Sequence, residues 1–156
     1  MDSEIQIVDS CLVAPSEETP TKRLWLSSLD LRVASRGHTP TVYFYRSGDD
    51  AADFFDVTKL RQSMAKALVA FYPLAGRLDT DNDGRLEINC NSEGALFVVA
   101  RCNDLTVNDF NDLKPSPELR RMFVPRIEPP TIVLAIQVRE FNFNHSLLLI
   151  YPNNGY

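Results

Sequence analysis

The apolar residues of this chain recur with two different periods, and this constrains its fold more than any other feature of the sequence. Within residues 57–71 the steps are three and four, the period of an amphipathic helix with one buried face. The residues that share this spacing are Val57, Leu60, Met64, Ala67, Leu68 and Phe71. Asp53 or Asp56 can cap this helix at its N-terminus, and Pro73 and Gly76 end it. We therefore expect one well-defined helix in this segment.

Elsewhere the apolar segments have the length and the pattern of β-strands. Five of them stand out: residues 5–14 (as one strand or two), 41–46, 85–90, 95–102 and 131–138. In residues 41–46 (TVYFYR) the β-branched and aromatic residues favour a pleated backbone, with Tyr43 and Tyr45 on one face. Residues 85–90 alternate polar and apolar, whereas residues 95–102 are apolar on both faces, as in an interior strand. We predict that these two strands form a hairpin.

The loops between these elements are polar and rich in proline. The segment PSEETPTKR (residues 15–23) cannot form regular structure, and residues 24–26 (LWL) are expected to anchor it to the core. Residues 103–130 leave room for short helices only, one of them over residues 117–123 with Ser116 as its cap. With 156 residues, no internal repeat and no interdomain linker, the pattern predicts one domain of mixed α/β or α+β class, or part of one.

The overall charge argues against a nucleic-acid-binding protein. The formal net charge is −5, whereas binding to a phosphate backbone requires clustered Lys and Arg side chains. The nearest approach to a basic cluster is Arg120, Arg121 and Arg126, which Glu118 and Glu128 flank. We interpret this group as a solvated surface and predict no nucleic-acid partner.

Secreted and membrane proteins are also disfavoured. The N-terminus, MDSEIQIVDS, carries acidic residues where a signal peptide carries positive charge, so we expect a cytoplasmic location. No segment approaches the apolar length of a transmembrane helix, so we expect no membrane partner. Cys11, Cys90 and Cys102 form no CxxC pair and have no metal-ligand spacing to a histidine. They are expected to be small buried apolar residues.

Residues 79–84 (DTDNDG) match the first half of a calcium-binding EF-hand loop. The second half does not match, because Cys90 stands at the twelfth position, where a bidentate glutamate must complete the coordination. Asp, Asn and Gly also make a good polar hairpin turn, since they tolerate left-handed backbone angles. We favour the turn, keep the calcium loop as the weaker alternative, and predict no metal site.

Three segments resemble a known family in their order and rough spacing: HTPTVYFYR (38–46), FYPLAGRL (71–78) and CNSEGALFV (90–98). The pattern resembles the plant BAHD acyltransferases, and most of all their hydroxycinnamoyl-CoA branch, over residues 5–138. The resemblance implies part of an N-terminal domain with the chloramphenicol-acetyltransferase-like α/β fold, with a mixed sheet and flanking helices. It also implies transfer of a hydroxycinnamoyl group from CoA to a small-molecule hydroxyl or amine acceptor, with acyl-CoA as co-substrate and no other cofactor.

The resemblance also places two residues in the acyl-acceptor pocket. In the hydroxycinnamoyltransferase branch, the strand that opens with HTPxVYF contributes a small hydroxyl residue and a tyrosine, and these positions are Thr41 and Tyr43 here. Their hydroxyls would orient a hydroxylated acceptor while the ring packs on the aromatic acyl group. A plainer interpretation makes Tyr43 a strand aromatic whose hydroxyl reaches solvent. The FYPLAGRL motif is expected to be structural, with Arg77 paired to an acidic group.

No catalytic residue is assigned in this chain. The family uses the histidine of an HxxxD motif as the general base that takes the proton from the acceptor. Here the fourth residue after His38 is Val42, and the fourth after His145 is Leu149. We interpret His38 as a loop histidine that is hydrogen-bonded to a backbone carbonyl. The chain by itself is therefore expected to be inactive.

Residues 139–156 (REFNFNHSLLLIYPNNGY) depart from the family pattern. In relatives a second strand with cysteine and glycine, the HxxxD helix and a second domain follow at this point. We therefore divide the chain into a partial N-terminal family domain, residues 1–138, and a divergent tail outside the family fold. A truncated product, from a retained intron, a frameshift or an early stop, is the favoured explanation. One alternative is an unstable mis-spliced product. The other is a genuinely short protein with its own strand at residues 146–151, acting as a non-catalytic small-molecule-binding or interaction protein.

Overall fold

Two β-sheets and one long helix form the described part of the chain. They are seen in a computed structural model that describes residues 5–34, 38–46, 56–102, 117, 123–141 and 145–152. The elements, in chain order, are β1 (Gln6–Val13), β2 (Lys22–Trp25), α1 (Ser28–Ala34), β3 (Thr41–Arg46), α2 (Val57–Ala70), a 3₁₀ helix (Tyr72–Ala75), β4 (Arg77–Thr80), β5 (Leu86–Cys90), β6 (Ala95–Cys102), β7 (Leu134–Phe141) and β8 (His145–Pro152).

The larger sheet has five strands in the order β1-β6-β7-β8-β3. Neighbouring strands run antiparallel except for β6 and β7, which are parallel. A parallel pair requires a long crossover connection, and the residues between β6 and β7 supply its length. The mixed sheet with few helices confirms the predicted mixed α/β class.

Helix α2 begins where the sequence predicts. The Asp56 carboxylate accepts hydrogen bonds from the backbone N–H groups of Thr58 (2.8 Å) and Lys59 (3.1 Å), which makes Asp56 the N-cap. The alternative cap, Asp53, lies outside the described residues. At its other end the helix gives way to the 3₁₀ helix that contains Pro73, because proline cannot continue the α-helical hydrogen bonding.

The hydrophobic core lies between α2 and one face of the larger sheet. Its buried members are Val13, Met64, Leu68, Ala75, Ala95, Phe97, Val99, Leu134 and Val138. The opposite face of β6 and β7 is buried as well, which includes the side chains of Gln137 and Arg139. Gln137 donates to the backbone carbonyl of Phe123 at 3.3 Å, and the Phe123 ring lies 4.8 Å from the Arg139 guanidinium. The two central strands are thus interior strands, as their apolar sequences predict.

The predicted hairpin of residues 85–90 with residues 95–102 is wrong. β5 lies in a second sheet of order β2-β5-β4, whereas β6 lies between β1 and β7. Between them, Ser92 (φ 57°) and Gly94 (φ 104°) turn the chain from one sheet into the other. The reason lies in the strands themselves. β5 is only half-buried and suits a small surface sheet, while β6 is apolar on both faces and needs cover on both.

The prediction that residues 24–26 anchor the preceding loop is wrong for Trp25. Its side chain is 64% exposed, and the Arg85 guanidinium lies over the ring at 4.1 Å. Side chains alternate along a strand, so the half-buried Leu24 faces inward while Trp25 faces outward. Leu26 is half-buried like Leu24, so the two leucines rather than the tryptophan are the inward-facing residues of this segment.

Some predicted features lie outside the described residues. The helix over residues 117–123 is described only at Pro117 and Phe123, which are both helical, and its predicted cap Ser116 is not described. Arg120 and Arg121 of the basic group are likewise not described. Within the part of the chain that the structure covers, no helix is long and apolar enough to cross a membrane.

Residues 145–152 form β8, whose backbone pairs with β7 on one side and β3 on the other. A strand therefore follows the buried strand β7, as the alternative with a strand at residues 146–151 predicts. This second strand lacks the cysteine and glycine of the family pattern. The division of the chain after residue 138 stays a prediction.

Candidate functional site

The two predicted pocket residues lie on β3, the outermost strand of the larger sheet. Thr41 pairs with position 150 of β8. That position pairs in turn with Ile136 of β7, and Ile136 pairs with Phe97 of β6, so these four positions form one row across the sheet. Tyr43 pairs with position 148, in a row that continues to Val138. Paired residues of neighbouring strands share a face of the sheet. Thr41 and Tyr43 therefore lie on the face that α2 covers further along the sheet.

This face is open at β3. Tyr43 is 46% exposed and Tyr45, the next residue on the same face, is 41% exposed, whereas Thr41 is half-buried. Helix α2 packs on β1, β6 and β7. The sheet therefore presents an aromatic ring and a threonine hydroxyl about 7 Å apart along the strand, the spacing of alternate strand residues.

His38 fastens the start of β3 to the segment that leads into β7. Its Nε2–H donates a hydrogen bond of 2.9 Å to the carbonyl oxygen of Ile132, a fully buried residue. Burial lowers the pKa of His38 below its ordinary value, an effect that the hydrogen bond to the Ile132 carbonyl partly offsets. The interpretation of His38 as a loop histidine held by a backbone carbonyl is confirmed. The other histidine, His145, lies in β8, and its side chain is outside the description.

The FYPLAGRL motif forms a buried corner that joins the two sheets. Arg77 is only 6% exposed, and its Nη1 donates to the carbonyl oxygens of Gly76 and Gly94, each at 2.7 Å. Its Nε lies 2.9 Å from Glu93 Oε2, an ion pair without the angle of a directed hydrogen bond, which confirms the predicted acidic partner. The backbone of Arg77 also forms an isolated antiparallel β-bridge with Ile132, the same residue that His38 holds. The motif is thus a structural clamp.

The DTDNDG segment ends β4 at Thr80 and forms the turn of the β4–β5 hairpin over residues 81–84, which confirms the preferred interpretation of this segment. Asp81 Oδ1 accepts from the backbone N–H groups of Asp83 (2.9 Å) and Arg85 (2.8 Å). Gly84 adopts φ 77°, the left-handed conformation that such a turn requires. Asp81 thus uses its carboxylate inside the turn. In the described ranges, no group of three or more His, Cys, Asp or Glu side chains is arranged to hold a metal ion.

The cysteines have the environment that the sequence predicts. Cys90 and Cys102 are buried and Cys11 is half-buried, and all three are free. Burial raises the pKa of the Cys90 thiol, so this side chain stays uncharged and packs as a small apolar residue.

An apolar groove between α2 and the sheet is a feature that the sequence did not reveal. It has a volume of about 240 Å³, and we call it the α2 groove. Residues that line it include Met64, Leu68 and Phe71 from the α2 side and Phe97, Leu134 and Ile136 from the sheet. Ser63 is the one polar side chain in the lining. Its residues come from elements far apart in the chain, so no local sequence pattern indicates it.

Comparison with known proteins identifies the class to which this fold belongs. The description of the Transferase family matches residues 3–144. The structure superposes on vinorine synthase with a TM-score of 0.77 and 25% identity, over 96% of this chain and 38% of that chain. The chain therefore belongs to the Transferase family, the BAHD acyltransferases.

Two similar relatives in this family are named as hydroxycinnamoyltransferases. A hydroxycinnamoyltransferase of Narcissus pseudonarcissus is 50% identical over 124 residues, which cover 80% of this chain and 28% of the relative. Putrescine hydroxycinnamoyltransferase 1 of Oryza sativa subsp. japonica is 51% identical over 141 residues, which cover 88% of this chain and 31% of the relative. The chain thus spans about a third of the length of these curated relatives.

Proposed function

We propose that this chain carries the acceptor side of a hydroxycinnamoyl-CoA-dependent transfer site, with Thr41 and Tyr43 as pocket-lining residues. The reaction class is transfer of a hydroxycinnamoyl group from a CoA thioester to a hydroxyl or amine of a small acceptor. Two relatives of about 50% identity support this class by their names, which are hydroxycinnamoyltransferase and putrescine hydroxycinnamoyltransferase.

The observation that carries the proposal is the exposure of Tyr43 on the open face of β3. A ring that is 46% exposed gains apolar contact when an aromatic acyl group stacks on it. Thr41 lies one step earlier on the same face and supplies a hydroxyl. An apolar surface with two hydroxyl groups suits a ligand that combines an aromatic ring with polar substituents.

The chain by itself would bind substrate without turning it over. Attack on the thioester requires a general base to remove the proton from the acceptor. Neither of the two histidines has an aspartate at the fourth following position. His38 in addition donates its Nε2–H to the Ile132 carbonyl, which leaves only its Nδ1 with a lone pair that can accept a proton.

Isothermal titration calorimetry of the full chain with p-coumaroyl-CoA tests the pocket, because it measures the affinity of the chain for this ligand. We expect Tyr43→Ala to weaken binding by about tenfold, since the lost stacking is worth about 1 kcal/mol beyond the lost apolar area. Tyr45→Ala is the matched control because Tyr45 lies on the same strand and face with similar exposure, 41% against 46%. Tyr43→Phe separates the hydroxyl from the ring.

Two results would contradict the proposal. The first is the absence of saturable binding to chain that unfolds cooperatively on heating. The second is an equal loss of affinity in the Tyr43→Ala and Tyr45→Ala variants, which would remove any special role of Tyr43. Each variant is compared with the parent chain in the same thermal scan, so that loss of fold is not mistaken for loss of binding.

A further inference from the structure

The small sheet of β2, β5 and β4 presents one of its faces to solvent. Trp25 of β2 pairs with Glu87 of β5, and Glu87 pairs with Asp79 of β4, so these three residues form one row across that face. The neighbouring row contains the buried Leu78 and lies on the opposite, inward face. We call the outward row, together with two arginines that contact it, the outer strip: Trp25, Asp79, Glu87, Arg23 and Arg85.

One end of the outer strip is aromatic and positively charged. The Arg85 guanidinium lies 4.1 Å from the centre of the Trp25 ring, and its Nη2 donates a hydrogen bond of 2.9 Å to the Leu26 carbonyl. Among the described residues, no carboxylate oxygen lies within 4 Å of this guanidinium. Since 64% of Trp25 is exposed, this end offers a large apolar ring and a positive charge that can pair with a carboxylate.

The other end of the outer strip carries a surplus of negative charge. Arg23 forms an ion pair with Asp79 at 3.0 Å and a second one with Glu87, so one guanidinium serves two carboxylates. One negative charge is therefore left over at the side of the strip that lies on β5 and β4. The side chains of Arg23 and Asp79 are 53% and 42% exposed, so this end is accessible as well.

A strip with a positive and a negative end is complementary to a second copy of itself. In a two-fold dimer the same patch of both chains forms the interface, and each end of one strip lies against the opposite end of the other. Arg85 of each chain then faces Asp79 and Glu87 of the other chain. Each Trp25 ring packs against Arg23 of the other chain, on the ring surface that is exposed in the single chain. Every contact is made twice.

We propose that the outer strip is the interface of a weak two-fold dimer of this chain. Three strands of four or five residues span about 14 Å by 14 Å, or about 200 Å² per chain. A stable complex buries about 800 Å² per partner, so an interface of this size corresponds to a dissociation constant of about 0.1 mM. The dimer does not depend on substrate, because Thr41 and Tyr43 lie on the larger sheet.

Dilution of the parent chain tests the dimer without any substitution. Trp25 is the only tryptophan of the chain, so its fluorescence reports on the outer strip directly. Sedimentation equilibrium between about 0.01 and 1 mM gives the stoichiometry, and emission spectra at the same concentrations report on the surroundings of the ring. We expect a monomer–dimer equilibrium in which the emission moves to shorter wavelength as the dimer forms, because the indole leaves water.

Three results of this measurement would overturn the proposal. The first is a monomer at every concentration. The second is a dimer whose formation leaves the Trp25 emission unchanged, which would place the interface elsewhere on the chain. The third is assembly beyond the dimer, because a two-fold interface is closed and a head-to-tail interface is not.

Charge reversal tests the pairing and its symmetry. Arg85→Glu places a glutamate opposite Asp79 and Glu87 of the other chain, and Asp79→Arg places an arginine opposite Arg85. Each variant alone should dimerise at least about tenfold more weakly than the parent, because like charges meet twice. An equimolar mixture of the two variants should recover most of the affinity. In the mixed dimer the introduced glutamate faces the introduced arginine, and the unchanged Arg85 faces the unchanged Asp79.

Lys66→Glu is the matched control, since it makes the same change of charge as Arg85→Glu at an exposed position of α2, which packs on the larger sheet. It should dimerise as the parent does, and an equal weakening would assign the effect to net charge and overturn the proposal. Thermal scans of all variants distinguish loss of fold from loss of pairing. A mixture of folded variants that dimerises no better than either variant alone would also overturn it. If a variant does not fold, the dilution of the parent chain still decides.

Discussion

Gly76 lies where the 3₁₀ helix meets β4, and the backbone of β5 passes beside it. An added Cβ at this position would lie 2.4 Å from the carbonyl oxygen of Asn89 and 3.1 Å from that of Pro73. Both are backbone atoms of packed elements, so they cannot move aside as the end of a flexible side chain can. We predict that Gly76→Ala lowers the free energy of unfolding by about 1–3 kcal/mol, measured by urea denaturation.

Gly84 is a control for Gly76, because substitution at Gly84 would strain the backbone and would not cause a steric clash. No atom lies within 4 Å of a Cβ added there, but its φ of +77° strains any other L-residue. Gly84→Ala should cost about 1 kcal/mol, and Gly84→Asn should recover most of it because Asn tolerates the left-handed region. Asn should bring no recovery at Gly76. If Gly76→Ala unfolds at the same urea concentration as the parent chain, the backbone of β5 does not lie as close to Gly76 as described.

His38 makes stability depend on pH in a defined direction. Its pKa in the folded chain is below the ordinary value of 6.5, so near and below that pH the unfolded chain binds more protons than the folded chain. The stabilising contribution is therefore complete above about pH 6.5 and is lost as the pH falls through the folded pKa. His38→Gln keeps an N–H donor for the Ile132 carbonyl and does not titrate.

We predict that the parent chain loses more stability than His38→Gln between about pH 7.5 and pH 5. Urea denaturation of both proteins at each pH gives the difference in their free energies of unfolding. That comparison cancels the carboxylates common to both. A difference that stays constant over the whole range would show that His38 titrates alike in the folded and unfolded chains.

At the scale of elements, β8 connects β3 to the rest of the larger sheet. Its backbone pairs with β7 over residues 145–152 and with β3 over residues 145–150. A chain that ends at Phe141 should therefore leave β3 without its partner. We predict that backbone amides of β3 lose their protection from hydrogen exchange in that shortened chain, while those of β6 stay protected. Equal protection of β3 in both chains would show that residues 142–156 have no role in the sheet.

The elements that the sequence predicts well are those whose signals are local. α2 has its cap at Asp56 and its period within one segment, and β3 and the turn at residues 79–84 likewise depend on neighbouring residues. Strand pairing is not local. The sequence does not show that β2 and β4 pair with the two edges of β5, and the predicted hairpin of β5 with β6 failed because both edges are occupied.

At the scale of the whole molecule, the site was only partly predictable. The family resemblance led to Thr41 and Tyr43, and the register of four strands (β3, β8, β7 and β6) is needed to place them on the same face as α2. The α2 groove was not predictable, because its lining comes from α2, the turn that follows it, β6 and β7. Apolar periodicity identifies the face of a helix that is buried, but it does not show how much of the sheet that helix leaves uncovered.

Acyl transfer by the full chain is the most direct test of the account. Purified chain is incubated with p-coumaroyl-CoA and either shikimate or putrescine, and release of CoA and formation of ester or amide are followed by mass spectrometry. We predict saturable binding of p-coumaroyl-CoA with no CoA release above the rate in buffer, because neither histidine belongs to an HxxxD motif, whose histidine is the general base of the family. Product that forms in proportion to the concentration of the chain would contradict the account, since it would require a base elsewhere in these 156 residues.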